Sequence, residues 1–579
     1  MQGDNKIANI KGKDLTVLRP VHSAWRKRQW LGLSLLVLFF LAIIPGCTKR
    51  YAYWNSPKPA LTPPATSDDI SHPKHASFEI KDNRGNQNVL VMLALSGGGS
   101  RAAYFSAEVM TKLQQDSDLD ILKEVDVISS VSGGSLPAAY YAITADPEFI
   151  IPIPRCSLNC DVFTEPSKIA CQKVGKKQQL VIGKLSPQEI NMTQDTLHRA
   201  LSGCSEKELS YINRLFQLSQ INVSSNRIWM SKEQWNEQIN KGGVNLDLRL
   251  RRDHVADLMS RDYIGRWIKN LFWPVNIGRY WFTAYDRSDI MAQTFEDNLF
   301  DTKNLGWALT FADLNPERPY LILNATDGTE AYETRDMHFG SVFTFTQEDF
   351  TKQLNSDIYQ FDVARGVMAS AAFPAVFNYA TLKDFTNKDN ERYHHVFDGG
   401  NADNLGLRSL SRVIEESDGK RYKHIIVILV DAFIEPSGKD SQDPDPRSTF
   451  SYIVDTNFMD GFDALLKGNR ERGIETFLGN HKDLGNKLTF WHLTFTKIDE
   501  TIEDIKPLTD DSRTYGSLRA GLNRISTDFR ISDEGKARIE KAVKKLFEKD
   551  DACLKRIKTI LSSDNPDNLS LSQGPEICK

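Results

Sequence analysis

The chain has 579 residues, of which 40% are hydrophobic and 26% charged, with a formal net charge of -4. That composition supports a large buried core under an ordinary soluble surface. It lacks the basic excess that marks a nucleic-acid binder, and its small net acidity selects no partner.

Arg26-Lys27-Arg28 precedes an apolar run of 15 residues from Trp30 to Ile44. A spanning helix needs about 20 apolar residues, whereas the h-region of a secretory signal is shorter. The run ends in Ile44-Pro45-Gly46-Cys47, a small residue before a cysteine, and so resembles a bacterial lipoprotein signal. On that reading residues 1–46 are removed and Cys47 carries lipid. An uncleaved N-terminal anchor is the alternative. Both readings place the remainder in the bacterial cell envelope, in the periplasm or outside, with the inner and outer membrane equally open. Residues 47–85 carry Pro57, Pro59, Pro63, Pro64 and Pro73 and read as a proline-rich tether. Fully extended at about 3.3 Å per residue, such a segment reaches beyond roughly 100 Å.

Six cysteines remain beyond Cys47, an even number that suits disulfides in an oxidising compartment. Their clustering pairs Cys553 with Cys578 and leaves two bridges among Cys156, Cys160, Cys171 and Cys204, out of 15 connectivities. A zinc site on those four is the rival, but their spacing is irregular and no CxxC occurs.

Val89 to Leu95 is a continuous apolar run, expected as a buried strand. It leads into Ser96-Gly97-Gly98-Gly99-Ser100-Arg101 and a helix from about Arg101 to Gln115. Val125 to Val131 is a second strand, leading into Ser132-Gly133-Gly134-Ser135 and a helix over Leu136 to Ala145. Two strand–turn–helix units in succession predict a mainly parallel central sheet in a three-layer α/β/α arrangement. Residues of about 146–300 differ in character and read as a large cysteine-containing insertion. It carries an aromatic cluster (Trp267, Phe272, Trp273, Tyr280, Trp281, Phe282) interleaved with Arg266, Lys269 and Arg279. Such a cluster suits a membrane interface, a lid or a core helix. The sheet resumes at Pro319 to Ala325, Tyr393 to Phe397 and His424 to Val430. The α/β domain thus spans 86–435. Residues 436–579 extend it with a strand over Lys487 to Phe495, helices over 533–562 and a terminal loop at 563–579.

Ser132 sits between a strand and a helix, with Gly133 and Gly134 leaving room for an incoming acyl group. Gly97, Gly98 and Gly99 offer successive N–H groups to an oxyanion, and Arg101 can brace that loop or meet a phosphate. Neither a P-loop nor a Rossmann turn matches these glycines. Phe397-Asp398-Gly399-Gly400 places an aspartate at a strand end, with Gly399 and Gly400 freeing space beside it. His394 and His395 raise a Ser-His-Asp triad, but strand alternation sends them to opposite faces.

In order, Ser96–Arg101, Ser130-Val131-Ser132-Gly133-Gly134 and Asp398-Gly399-Gly400 resemble the patatin-like phospholipase family, as do Asn324-Ala325-Thr326-Asp327 and Ala369-Ser370-Ala371-Ala372-Phe373-Pro374. The resemblance spans about 90–435. It implies a Ser-Asp dyad with Ser132 as nucleophile and Asp398 as base, an oxyanion loop at Gly97, Gly98 and Gly99, and a phospholipid or other lipid ester as substrate. It implies no metal and no organic cofactor, and it leaves any protein partner unnamed. Ser96 stands where the family often has aspartate, and Ser130 where the elbow has glycine. An acyltransferase sharing the same acyl-enzyme, or a silent lipid-binding lipoprotein, are the alternatives.

Overall fold

The computed structural model describes residues 52–57, 88–115, 119–144, 252–300, 308–315, 318–329, 339–374, 376–386, 391–417, 422–434, 457–505, 516–525, 530–562 and 576–578, together with the backbone of short strands between 150 and 229. The signal segment with Cys47, most of the tether, and Cys156, Cys160 and Cys204 lie outside the described residues. No helix among the described residues is long and apolar enough to cross a membrane.

Among the described residues, nine strands form the main sheet: β1 (Val89–Leu95), β2 (Val127–Val131), β3 (Tyr320–Asp327), β4 (Val342–Phe345), β5 (Ala380–Asp384), β6 (Arg392–Asp398), β7 (His424–Asp431), β8 (Leu488–Thr494) and β9 (Glu576–Cys578). Their order is β5-β6-β3-β2-β1-β7-β8-β9, with β4 beside β3. The pairings from β3 through β2, β1, β7 and β8 to β9 are parallel, while β6, β5 and β4 run antiparallel to their neighbours. Central parallel strands covered on both faces carry unbroken apolar runs, as β1 (VLVMLAL) and β7 (HIIVILVD) do. Alternate residues of β1 serve opposite layers. Val89, Val91, Leu93 and Leu95 enter one core, and Leu90, Met92 and Ala94 the other.

The first core is covered by α1 (Gly99–Gln114), α2 (Ser135–Ile143), α3 (Tyr263–Leu271), α4 (Arg287–Phe295), α5 (Val363–Ser370) and two C-terminal helices over Asp533–Lys549 and Asp551–Ser562. The second lies under the helix Leu407–Glu416 and the end of Asn457–Asn480. This is the three-layer α/β/α arrangement. Val255, Leu258, Met259, Tyr263, Met291 and Phe295 are buried in the first core, so the later part of the 146–300 stretch builds the domain itself. Its earlier part shows two small antiparallel sheets, 150–182 and 222–229. Cys171 lies on a strand of the first.

The sheet's two edges are closed by chain that the sequence reading treated as loose. At the β8 edge, the terminal loop becomes β9, held by the Cys553–Cys578 disulfide and by Lys497 Nζ donating to the Cys578 carbonyl. At the β5 edge, residues 52–57 of the expected tether are docked. Trp54 N–H donates to the Thr381 carbonyl at 3.0 Å. The Asn55 side chain takes both backbone bonds of Lys383, at 2.7 and 2.9 Å. An edge strand presents unpaired N–H and C=O groups that invite pairing with another chain, and this segment covers them.

Residues Ala52–Phe272 and Tyr285–Lys579 form one compact unit. In the second unit only Trp273–Ala284 is described. Its helix Pro274–Phe282 opens on proline, buries Tyr280 and exposes Trp273, Val275 and Phe282. The aromatic cluster read from sequence is therefore split. Trp267 packs edge-on against Phe377 at 5.5 Å and donates its Nε1–H to the Arg287 carbonyl, as a core aromatic does.

Candidate active site

Ser132 follows β2 at φ +50°, in the left-handed region that non-glycine residues rarely occupy. Such a conformation costs of order 1–3 kcal/mol and persists only where surrounding contacts hold it. They do so here. Ser132 N–H donates to Ser370 Oγ at 3.0 Å, and Ser370 Oγ donates to the Asn324 carbonyl at 2.7 Å. Gly133 and Gly134 let the turn close. A Cβ on Gly133 would meet the Gly99 carbonyl oxygen, and one on Gly134 would stand 2.7 Å from that of Ser96. The two glycine-rich turns are thus packed backbone to backbone.

Sheet register brings the aspartate to the serine. Val131 lies opposite Asn324, and Asp398 opposite Ala325, so Ser132 and Asp398 flank the end of β3. Two strand spacings are roughly 9.6 Å, a gap their side chains bridge. Ser132 Oγ donates to Asp398 Oδ2 at 2.8 Å, and Gly400 N–H donates to Asp398 Oδ1 at 2.8 Å. Asp398 is buried, and that burial pushes its carboxyl up to about 6, against the lowering effect of the Gly400 and Ser132 hydrogen bonds. Its backbone is fixed by N–H donation to the Ala372 carbonyl and by acceptance from Thr326 Oγ1. A carboxylate so placed can take a hydroxyl proton as the oxygen attacks a carbonyl.

The histidines stand apart from this pair. His394 Nδ1 bonds Asp327 Oδ2 at 2.7 Å, and His395 Nδ1 bonds Thr381 Oγ1 at 3.2 Å on the other face of β6. The serine–aspartate contact is direct.

The three loop glycines are not equivalent. Gly97 N–H donates to the Asn404 carbonyl at 3.0 Å. Among the described residues no acceptor takes the N–H of Gly98 or Gly99, which hold φ of +135° and +58°. Arg101 is buried, with Nε on the Ala432 carbonyl and Nη1 on the Ile525 carbonyl, so it braces the loop against the chain beyond β7. Ser96 Oγ accepts from Ala432 N–H at 2.9 Å. Ser130 turns its hydroxyl toward the Ile322 carbonyl and Ser135 Oγ, which explains how serine fits the elbow's first position.

Sequence reasoning overlooked Asn404, which holds Gly97, and the individual duties of Asn324 and Ser370. Asn324 Nδ2 ties the Ser129 hydroxyl to the Ser130 carbonyl, and its Oδ1 accepts from Ser409. Asn324 and Ser370 lie within motif segments, but nothing in the sequence assigns them these bonds.

A glycine-rich loop packed on a strained serine elbow, with a buried aspartate in contact, defines an acyl-transfer class of site on an α/β sheet. The model of the patatin-like phospholipase family matches residues 93–152 and 221–411. The chain belongs to that family and is a hydrolase of lipid esters. The crystal structure of VipD from Legionella pneumophila is similar over 79% of this chain and 67% of that one, at 13% identity and a TM-score of 0.22. No curated protein sequence matches the chain.

Proposed function

We propose that the chain is an envelope-anchored serine lipid acyl hydrolase of phospholipase A or lysophospholipase type, working through a Ser132–Asp398 dyad. The 2.8 Å contact between Ser132 Oγ and Asp398 Oδ2 carries this reading. Asp398 accepts the hydroxyl proton as Ser132 Oγ bonds to the ester carbonyl carbon. The N–H groups of Gly98 and Gly99 stabilise the oxyanion, since that of Gly97 is already engaged. Asp398 then protonates the departing alcohol, deprotonates water for attack on the acyl-serine, and returns the proton to Ser132 as the fatty acid leaves. Anchoring through Cys47 or an uncleaved helix is supported by the apolar run at 30–44, and an oxidising compartment by the Cys553–Cys578 bridge.

The test is labelling by a fluorophosphonate probe, followed by phospholipid hydrolysis. Wild type labels, and Ser132→Ala and Asp398→Asn do not. A folded wild type that stays unlabelled with vesicles present would sink the proposal. An acyltransferase shares the acyl-enzyme, so water and alcohol acceptors must be compared in the same assay.

A further inference from the structure

We infer that the outer face of the β5–β6 hairpin, together with the docked segment at 52–57, is the surface that lies against the lipid bilayer. The inference rests on the membrane anchoring proposed above.

The first observation is the clamp. Besides the bonds of Trp54 and Asn55 to β5, Ser356 Oγ donates to the Ser56 carbonyl at 2.6 Å, and the Arg365 guanidinium lies 5.3 Å from the Trp54 ring centroid. Asn55 is 4% exposed. The segment is therefore part of the folded unit, and the effective tether ends at Ala52.

The second is distance. Four residues, 48–51, separate Cys47 from Ala52. At about 3.4 Å per residue, the five Cα steps reach roughly 17 Å. A lipidated Cys47 sits at the bilayer surface, so the hairpin edge stays within roughly 17 Å of it. An uncleaved anchor ending near Ile44 adds three residues and leads to the same edge.

The third is the chemistry of that face. β5 and β6 alternate buried with half-buried residues, so one face is open. It carries Phe385, Tyr393, His395 and Phe397, with the Tyr53 ring on Phe385 and Tyr393 (5.7 and 6.2 Å) and the Tyr379 ring on His395 and Phe397 (6.0 and 5.5 Å). Tyr53 is 39% and Tyr379 55% exposed. Lys383 Nζ lies 5.1 Å from the Tyr53 ring centroid. The tyrosine rings, with polar tips and beside Lys383 in its 2.6 Å pair with Glu391, fit the headgroup level, where an apolar body and a wet end are both satisfied. This orientation confines the site to the bilayer that holds the anchor and makes phospholipid of that same membrane its substrate.

The test uses the full chain carrying Ser132→Ala, reconstituted into phosphatidylethanolamine–phosphatidylglycerol vesicles containing a phospholipid photoactivatable at its headgroup. Cross-links are expected at Tyr53, Tyr379 and Tyr393. Cross-links that miss all three of these tyrosines, or none at all, would overturn the inference. Because the map needs no turnover, it stands or falls separately from the hydrolase reading. In the active chain, Tyr53→Ser with Tyr379→Ser is expected to lower hydrolysis of vesicle phospholipid about tenfold and leave a soluble short-chain ester unaffected. An equal fall on both substrates counts against the inference.

Discussion

Asp398→Asn should stabilise the protein at neutral pH while abolishing its chemistry. Burial raises the Asp398 carboxyl from 3.8 to about 6. The unfolded chain titrates this group near 3.9. Between those values the folded state holds a proton that the unfolded state has lost. The sign follows from linkage: stability is fully present below about pH 4 and falls as pH rises through about 6. A difference of about 2 units corresponds to roughly 3 kcal/mol at pH 7.5. The asparagine Oδ1 can still accept from Gly400 N–H, and the uncharged amide escapes the desolvation cost. With an unfolding entropy of about 2.1 cal/mol/K per residue, a chain of this size gains about 1 °C per kcal/mol, so the variant should melt about 3 °C higher at pH 7.5. The assay is thermal unfolding of both full chains in non-ionic detergent at pH 4 and pH 7.5, with fluorophosphonate labelling in parallel. The advantage should vanish at pH 4, and wild-type labelling should rise with pH through about 6 as the carboxylate forms. A variant no more stable than wild type at pH 7.5, or one equally stabilised at both pH values, would refute the reasoning.

Gly133→Ala drives a methyl into the Gly99 carbonyl and displaces the loop whose N–H groups face the oxyanion. The turnover rate on a soluble ester should fall by about 10²-fold or more while bound substrate affinity changes little. Asp431→Asn removes the charge that pairs Arg470 Nε at 2.6 Å and His492 Nε2 at 2.9 Å. Against a raising effect of burial, those partners hold the Asp431 carboxyl below its usual range. Its stabilisation is therefore present above about pH 4 and lost as pH falls further. The variant should lose about 3–5 kcal/mol at pH 7.5, read by chemical denaturation, with the deficit shrinking on acidification. Reducing the Cys553–Cys578 bridge opens a loop of sequence separation 25 and should cost roughly 3 kcal/mol. Labelling of Ser132 should survive, because three strands separate that sheet edge from β2.

What could be read beforehand divides along a physical line. The serine, the aspartate and the glycines were legible because each answers a local need that only a few residue types meet: a sharp turn, an approach of backbones or a strand-end carboxylate. The parallel core strands were legible because burial on both faces demands unbroken apolar runs. β4 and β5 were not. At Ala380–Asp384 burial alternates on an antiparallel edge, and alternation over five residues between polar neighbours resembles a loop. The docking of 52–57 was hidden for a related reason. Tyr-Trp-Asn before a proline-rich stretch has the composition of a linker, and only the free edge of β5, brought there by folding more than 300 residues later, gives Asn55 a backbone to mimic. The same holds for Gly97. Three successive glycines promise three equivalent donors, and the distinction among them comes from the Asn404 carbonyl, a contact between residues far apart in sequence. Residue types thus announce the chemistry, whereas the direction of each backbone group is set by partners that only the assembled sheet supplies.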